Sequence, residues 1–218
     1  MISKNLKKRF STSTLLLILL FLIYKFKFVL VFSLLVFGVL SILEFMKTIN
    51  KIYINKIWKF IINFTFIIYM FLFSYFLIFF TSFFQLKVLI FIILAGCIAS
   101  DLGGYIFGKL IQGPKLTRIS PKKTLSGSIG SIALTIITMF SLIFFATNET
   151  FFNFKILIIS IIISISSQIG DLLFSFLKRK AKIQDYANYL PGHGGVLDRL
   201  DGVLLGLPVG FVIFIIIY

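Results

Sequence analysis

The stretch VLIFIILAGCIASDLGGYIF, residues 88–107, decides the fold class. It is apolar over about the 20 residues that a helix needs to cross bilayer hydrocarbon, without the alternation that would mark a strand. It also carries a carboxylate, Asp101, followed by Gly103 and Gly104. Similar runs lie on both sides of it, at 10–24, 28–46, 61–80, 129–147, 155–177 and 203–218. Of 218 residues, 59% are hydrophobic and 29 are Phe, and the mean hydropathy is +1.08. A soluble domain of this length could not bury so much apolar surface. The expectation is an all-α, polytopic integral membrane protein with about seven transmembrane helices in a single membrane domain.

Charge orients it. Lys4, Lys7, Lys8 and Arg9 precede the first run as in a signal peptide, but no small-residue cleavage site follows. We therefore expect a retained first helix, short in its core, that can pair with 28–46 as a hairpin crossing only in part. Further basic groups fall at Lys47, Lys51, Lys56 and Lys59, at Lys109, Lys115, Arg118, Lys122 and Lys123, and at Lys178, Arg179, Lys180, Lys182 and Arg199. Together these put eighteen positive residues on the side of the N-terminus, against Lys25, Lys27, Lys87 and Lys155 opposite. That asymmetry predicts a cytoplasmic N-terminus and an outside C-terminus. The net charge of +15 then faces anionic headgroups of the lipid bilayer, and nucleic acid is not expected as a partner. Cys97, the one cysteine, allows neither a disulfide nor a paired-thiol metal site.

With seven acidic residues in the chain, their placement is informative. Glu149 falls in an outside loop, whereas Glu44, Asp101 and Asp171 fall in apolar runs, where an unpaired charge costs several kcal/mol. Glu44 is expected to snorkel and pair with Lys47 or Lys51. Asp101 and Asp171 sit deeper, near glycines, and are expected to meet a cation, a metal or a proton. The segment 170–202, GDLLFSFLKRKAKIQDYANYLPGHGGVLDRLDG, holds Asp171, Asp185, Asp198 and Asp201 together with the only histidine. Asp198 and Asp201, three apart, share one face of a helical turn and suit Mg²⁺, which takes a few carboxylates plus substrate phosphates. Gly192, Gly194 and Gly195 would let backbone approach a ligand, Lys178 and Arg179 offer phosphate-binding charge, and His193 suits a turn packed under the metal site.

These residues resemble the CTP-dependent phosphatidate cytidylyltransferases, or CDP-diacylglycerol synthases. The family signature is matched by Ser175, Lys178, Arg179, Asp185, Ala187, Leu190, Pro191, His193, Gly194, Gly195, Asp198, Arg199 and Asp201. Upstream, Ser100, Asp101, Tyr105 and Gly108, then Ile119, Ser120, Pro121, Lys122, Lys123 and Thr124, look like two further family blocks. Lys7, Lys8, Arg9 and Thr12, with Glu44 and Phe45, are consistent with it. The chain departs from the signature at Gln184, where the family has Lys, and at Leu125 and Ser126, where it has an aromatic and an acidic residue. It is also shorter than typical members.

The resemblance implies transfer of CMP from CTP to phosphatidate, giving CDP-diacylglycerol and pyrophosphate for phospholipid biosynthesis. It implies N-terminal transmembrane helices over 1–90 and a catalytic transmembrane region over 91–218. Asp171, Asp198 and Asp201 would hold Mg²⁺, with room for a second cation, and Asp101 would be a further ligand or orienting group. Lys122, Lys123, Lys178, Arg179 and Arg199 would bind phosphates. Ser120, Thr124, Ser175, Asp185, His193, Gly194 and Gly195 would complete the substrate site. The expected setting is the bacterial inner membrane with the active site facing the cytoplasm, and a homodimer is compatible with it. A CTP-dependent lipid or polyprenol kinase, a transporter using Asp101 and Asp171 as an ion path, and a catalytically dead relative are the alternatives.

Overall fold

The computed structural model describes residues 4–53, 55–117, 120, 123–147, 153–187, 189 and 194–218, with side chains from residue 11 onward. Among them are seven helices and no strand: α1 (Lys4–Lys25), α2 (Lys27–Ile52), α3 (Lys56–Phe80), α4 (Phe84–Leu110), α5 (Leu125–Thr147), α6 (Phe154–Lys180) and α7 (Leu197–Ile217). Helices α2 to α7 are each long and apolar enough to cross a membrane. The apolar part of α1, Ser11–Lys25, is shorter. The chain is therefore an all-α integral membrane protein.

The hydropathy-based boundaries differ from the helix ends where charge is involved. Helix α7 starts at Leu197, six residues before the apolar run that announced it, so Asp198 and Asp201 lie in its opening turns and not in a loop. Carboxylates are favoured there because the first peptide N–H groups point toward them. Helix α6 continues to Lys180, so Lys178, Arg179 and Lys180 lie in its last turn, where positive charge is favoured by the helix dipole. It closes as a Schellman turn: Ile183 N–H reaches the Lys178 carbonyl and Lys182 N–H the Arg179 carbonyl, each at 3.0 Å. Lys182 takes the left-handed position of that turn at φ 55°, where glycine is usual.

The chain divides into two compact units, Met1–Phe80 with Leu177–Leu200, and Thr81–Phe176 with Asp201–Tyr218. In the first, Phe45 of α2 stacks on Phe66 of α3 with ring centroids 3.9 Å apart and planes 13° from parallel. That contact fixes the rotation of α2 about its axis, and Glu44, Thr48 and Ile49 lie buried on the same helix. Lys180 stands over the Tyr53 ring at 5.0 Å, which ties the end of α6 to the end of α2.

In the second unit, α4 and α5 cross at small residues. A Cβ on Gly103 would run into the backbone carbonyl of Gly130, and one on Gly104 would come within 2.8 Å of the Ser131 hydroxyl. Small residues permit this approach, which lipid-embedded helices use in place of a hydrophobic driving force. A polar seam holds the crossing. Ser131 donates to the Ser100 carbonyl at 2.7 Å, the Ser100 and Ser164 hydroxyls are 3.0 Å apart, and Gln168 donates to Ser164 at 3.1 Å. Ser128 donates back to Gln168 at 2.5 Å. Asp171 follows Gln168 by three residues, so the seam sets the face on which that carboxylate stands.

Gly103→Val is expected to lower thermal stability in detergent by about 3 kcal/mol, because backbone cannot retreat as a side chain can. Gly38→Ala, where an added Cβ meets nothing within 4 Å, is the control and should leave the unfolding temperature unchanged or slightly raised, since alanine is the better helix former. Circular dichroism melts of the two variants check this.

Candidate active site

The first unit holds a compact polar turn around Asp198. Its Oδ1 receives the Lys178 ammonium at 2.7 Å, and its Oδ2 accepts the N–H groups of Gly195 at 2.9 Å and Tyr186 at 3.0 Å. The Asp198 and Lys178 side chains are only 7% and 12% exposed, so this pair is shielded from water and far less screened than a surface bridge. Lys178 also lies 5.4 Å from the Tyr186 ring centroid. One carboxylate thereby pulls together the end of α6, the 181–187 segment and the start of α7.

Two glycines make room for this arrangement. Gly194 has φ +84°, a conformation that an L side chain rarely adopts, and a Cβ there would meet Asp198 Oδ2 at 3.0 Å. A Cβ on Gly195 would lie 2.7 Å from both carboxylate oxygens of Glu44. Among the described residues, the groups that approach these glycines closely are carboxylates of the chain itself. Glu44 does not pair with Lys47 or Lys51, as the sequence had suggested. It is 2% exposed and accepts the N–H groups of Val196 at 2.9 Å and Leu197 at 2.8 Å. Helix α2 is anchored with Glu44 facing inward, which is why snorkelling gives way to a backbone partner.

The second unit holds Asp101, Asp171 and Asp201. Asp171 accepts an ion pair from Lys123 and a hydrogen bond from Ser175 at 3.3 Å. Lys123 is presented by a loop that closes on itself. An antiparallel bridge joins Lys115 to Thr124, Leu116 N–H reaches the Lys123 carbonyl at 2.8 Å, and Lys123 N–H reaches the Ser120 carbonyl at 3.0 Å. Thr124 caps α5, its hydroxyl accepting Gly127 N–H at 3.1 Å. Ser126 donates to the Gln112 carbonyl, which ties α5 back to the end of α4. Gly170 lies against the Asp201 carbonyl, 2.5 Å from where its Cβ would be, and a Cβ on Gly202 would lie 3.5 Å from Asp101 Oδ1. These contacts bring Asp101 of α4 to Gly202, beside Asp201, and bring Asp171's neighbour Gly170 onto the Asp201 backbone.

Among the described residues, no three His, Cys, Asp or Glu side chains converge closely enough to hold a metal ion. The carboxylates of Asp171 and Asp198 are each met by a lysine ammonium in this arrangement. Arg179, Asp185 and Arg199 are exposed. Lys122 and His193 lie outside the described residues, as do Arg118, Ile119, Pro121, Glu149, Leu190, Pro191 and Gly192, and the side chains of Lys4, Lys7, Lys8 and Arg9. Sequence reasoning missed three participants: the backbone-accepting role of Glu44, the amide of Tyr186, and the Ser128–Gln168 pair that supports Asp171. The first two depend on contacts between distant segments and leave no local signal. Gln168 was legible as a polar residue in an apolar run, one turn before Asp171.

The comparisons with known proteins agree on one family. The model described as the cytidylyltransferase family matches residues 2–217. Proteins named phosphatidate cytidylyltransferase are similar to this chain in Staphylococcus haemolyticus, 42% identical over 114 residues, or 50% of this chain and 42% of that protein. Another, in Rickettsia bellii, is 44% identical over 119 residues, or 52% of each. A third, in Staphylococcus aureus strain COL, is 38% identical over 114 residues, with 50% and 42% covered. The chain thus spans about half the length of the curated relatives it matches. With nearly its whole length matched by one family model, the chain belongs to the cytidylyltransferase family.

Proposed function

We propose that this protein is a phosphatidate cytidylyltransferase, transferring CMP from CTP to phosphatidate and releasing pyrophosphate. The observation that carries the reading is the family match over residues 2–217, joined to relatives that share that one name. In the reaction a phosphate oxygen of the lipid attacks the α-phosphorus of CTP, and the bond between the α- and β-phosphates breaks. Two polyanions must meet, so fixed positive charge is the first requirement. Lys123 and Lys178 are held on carboxylates, from which they would be released to bind phosphate, and by the family signature Arg179, Arg199 and Lys122 would add further positive charge. The lipid phosphate is largely ionised near neutral pH, so the chemistry asks for no dedicated general base.

A hard divalent cation fits the donors in chemical type. Carboxylates are what Mg²⁺ prefers, and Asp201 follows Asp198 by one turn of α7. Asp171, Asp198 and Asp201 would hold it, with Asp101 orienting its neighbours, and a second cation is compatible with that many carboxylates. Mg²⁺ would supply charge neutralisation at the leaving pyrophosphate. Lys123 and Lys178 would exchange carboxylate for phosphate as nucleotide arrives. The charge asymmetry supports a site facing the cytoplasm of a bacterial inner membrane, where the lipid's tails stay in the bilayer and its headgroup enters a polar opening.

Detergent-purified protein given labelled CTP and phosphatidate is expected to release pyrophosphate only with Mg²⁺. Release of CDP with a phosphorylated lipid would instead identify a kinase. Asp201→Asn should reduce turnover by about 100-fold or more while membrane insertion is kept; near-normal turnover would sink the carboxylate assignment. Gln184→Lys restores the family residue in a segment that already carries Lys178, Lys180 and Lys182, so kcat/KM should change by less than about threefold. A larger gain, read in the same assay, would show that the missing cation limits this chain.

A further inference from the structure

Glu44 stands in a place where a carboxylate is expensive. It lies late in a helix of spanning length, 2% exposed, and burial of such a charge costs several kcal/mol unless donors meet it. The donors here are peptide N–H groups 152 and 153 residues away, those of Val196 and Leu197. Asp198 takes the preceding N–H, that of Gly195. Three consecutive amides at the start of α7 therefore end on two carboxylates, one from the helix itself and one from α2. A cap side chain at position 196 could not substitute for Glu44, because such a group accepts the N–H two or three residues further on and leaves the Val196 and Leu197 amides unmet. The chain has Val196 there and reaches to α2.

Everything around the contact serves to keep it. Gly195 leaves the space that Glu44 fills, because a Cβ would meet both carboxylate oxygens at 2.7 Å. The next residue on α2, Phe45, stacks on Phe66 and prevents α2 from rotating Glu44 away. The Val196 carbonyl accepts the N–H groups of Arg199 at 3.0 Å and Leu200 at 3.2 Å, so fixing Val196 fixes the whole first turn. We propose that Glu44 is a positioning residue for the transfer reaction: through the Val196 and Leu197 amides it sets the position of the turn that carries Asp198, and it thereby makes α2 a working part of the active site. This rests on the cytidylyltransferase reading. A residue needed only for stability would lower the amount of folded protein and leave the turnover of what remains intact.

The test uses the full chain in lipid nanodiscs, with hydrogen exchange and steady-state kinetics on the same preparations. Glu44→Ala should raise exchange in the 195–200 segment by about tenfold or more while α4 and α5 stay unchanged. Its kcat should fall about 100-fold while the KM for CTP moves less than about threefold. Glu44→Gln keeps the side-chain volume and one acceptor oxygen, guards against a failure to fold, and should show the same pattern at about a tenth of the size. Gly195→Ala should resemble Glu44→Ala, and adding Glu44→Asp, whose shorter side chain withdraws from the new methyl, should recover kcat by about tenfold. Unchanged exchange at 195–200 in Glu44→Ala overturns the proposal, as does raised exchange with kcat within about threefold of wild type, or a loss confined to KM. A wild-type chain without cytidylyl transfer would overturn the functional reading instead. The exchange comparison would then decide by itself whether Glu44 holds the turn.

Discussion

A carboxylate inside a membrane domain must be met by donors, and the polar end of this chain is arranged around that requirement. Asp198 gathers one ammonium and two peptide N–H groups, Glu44 gathers two more N–H groups, and Asp171 takes an ammonium and a hydroxyl. Each carboxylate is thus also a structural fastener. Loops that would otherwise have only water to order them are drawn to fixed positions by the strongest hydrogen-bond acceptors the chain has. Under the proposed function, fastening and anion chemistry would use the same lysines.

The second unit solves a related problem by different means. Its helices pack through glycines and serines, with hydroxyls of Ser100, Ser131 and Ser164 and the amide of Gln168 answering one another across α4, α5 and α6. Such hydrogen bonds are worth only about 1 kcal/mol each in a bilayer. Their value here is positional, because a hydrogen-bonded seam one turn below Asp171 sets the azimuth of that side chain more sharply than apolar contacts could.

Hydropathy located the seven helices of the described residues, and its errors lay at their polar and charged ends. Asp198 and Asp201 were assigned to a loop because polarity hides the first turn of a helix from any apolar window, while the same polarity is what stabilises that turn. Lys178, Arg179 and Lys180 shortened α6 on paper for the mirror-image reason. Within the site, Asp171 was legible as a charge in an improbable place, whereas Lys123 and Lys178 were read as phosphate ligands and their carboxylate partners were not foreseen. The partner of Glu44 was not legible. A carboxylate that binds peptide N–H groups leaves no complementary side chain in the sequence, and Gly195 reads equally well as room for a ligand or as room for another part of the chain. The family signature marks a segment, and the fold shows which of its residues hold the others.

The long reach of Glu44 has a consequence for the making of the protein. Its partners are 152 and 153 residues further along the chain, which at about 5–20 residues per second separates them by roughly 8–30 s of synthesis. Throughout that interval α2 exists while α7 does not. The carboxylate must be satisfied meanwhile by water or by a proton, so although α3 can already set the rotation of α2 through Phe45 and Phe66, Glu44 lacks its final partners until the last helix is delivered. Assembly of the polar end is thereby made contingent on completion of the chain, and a product truncated before α7 would keep Glu44 without those partners and stay open to quality control.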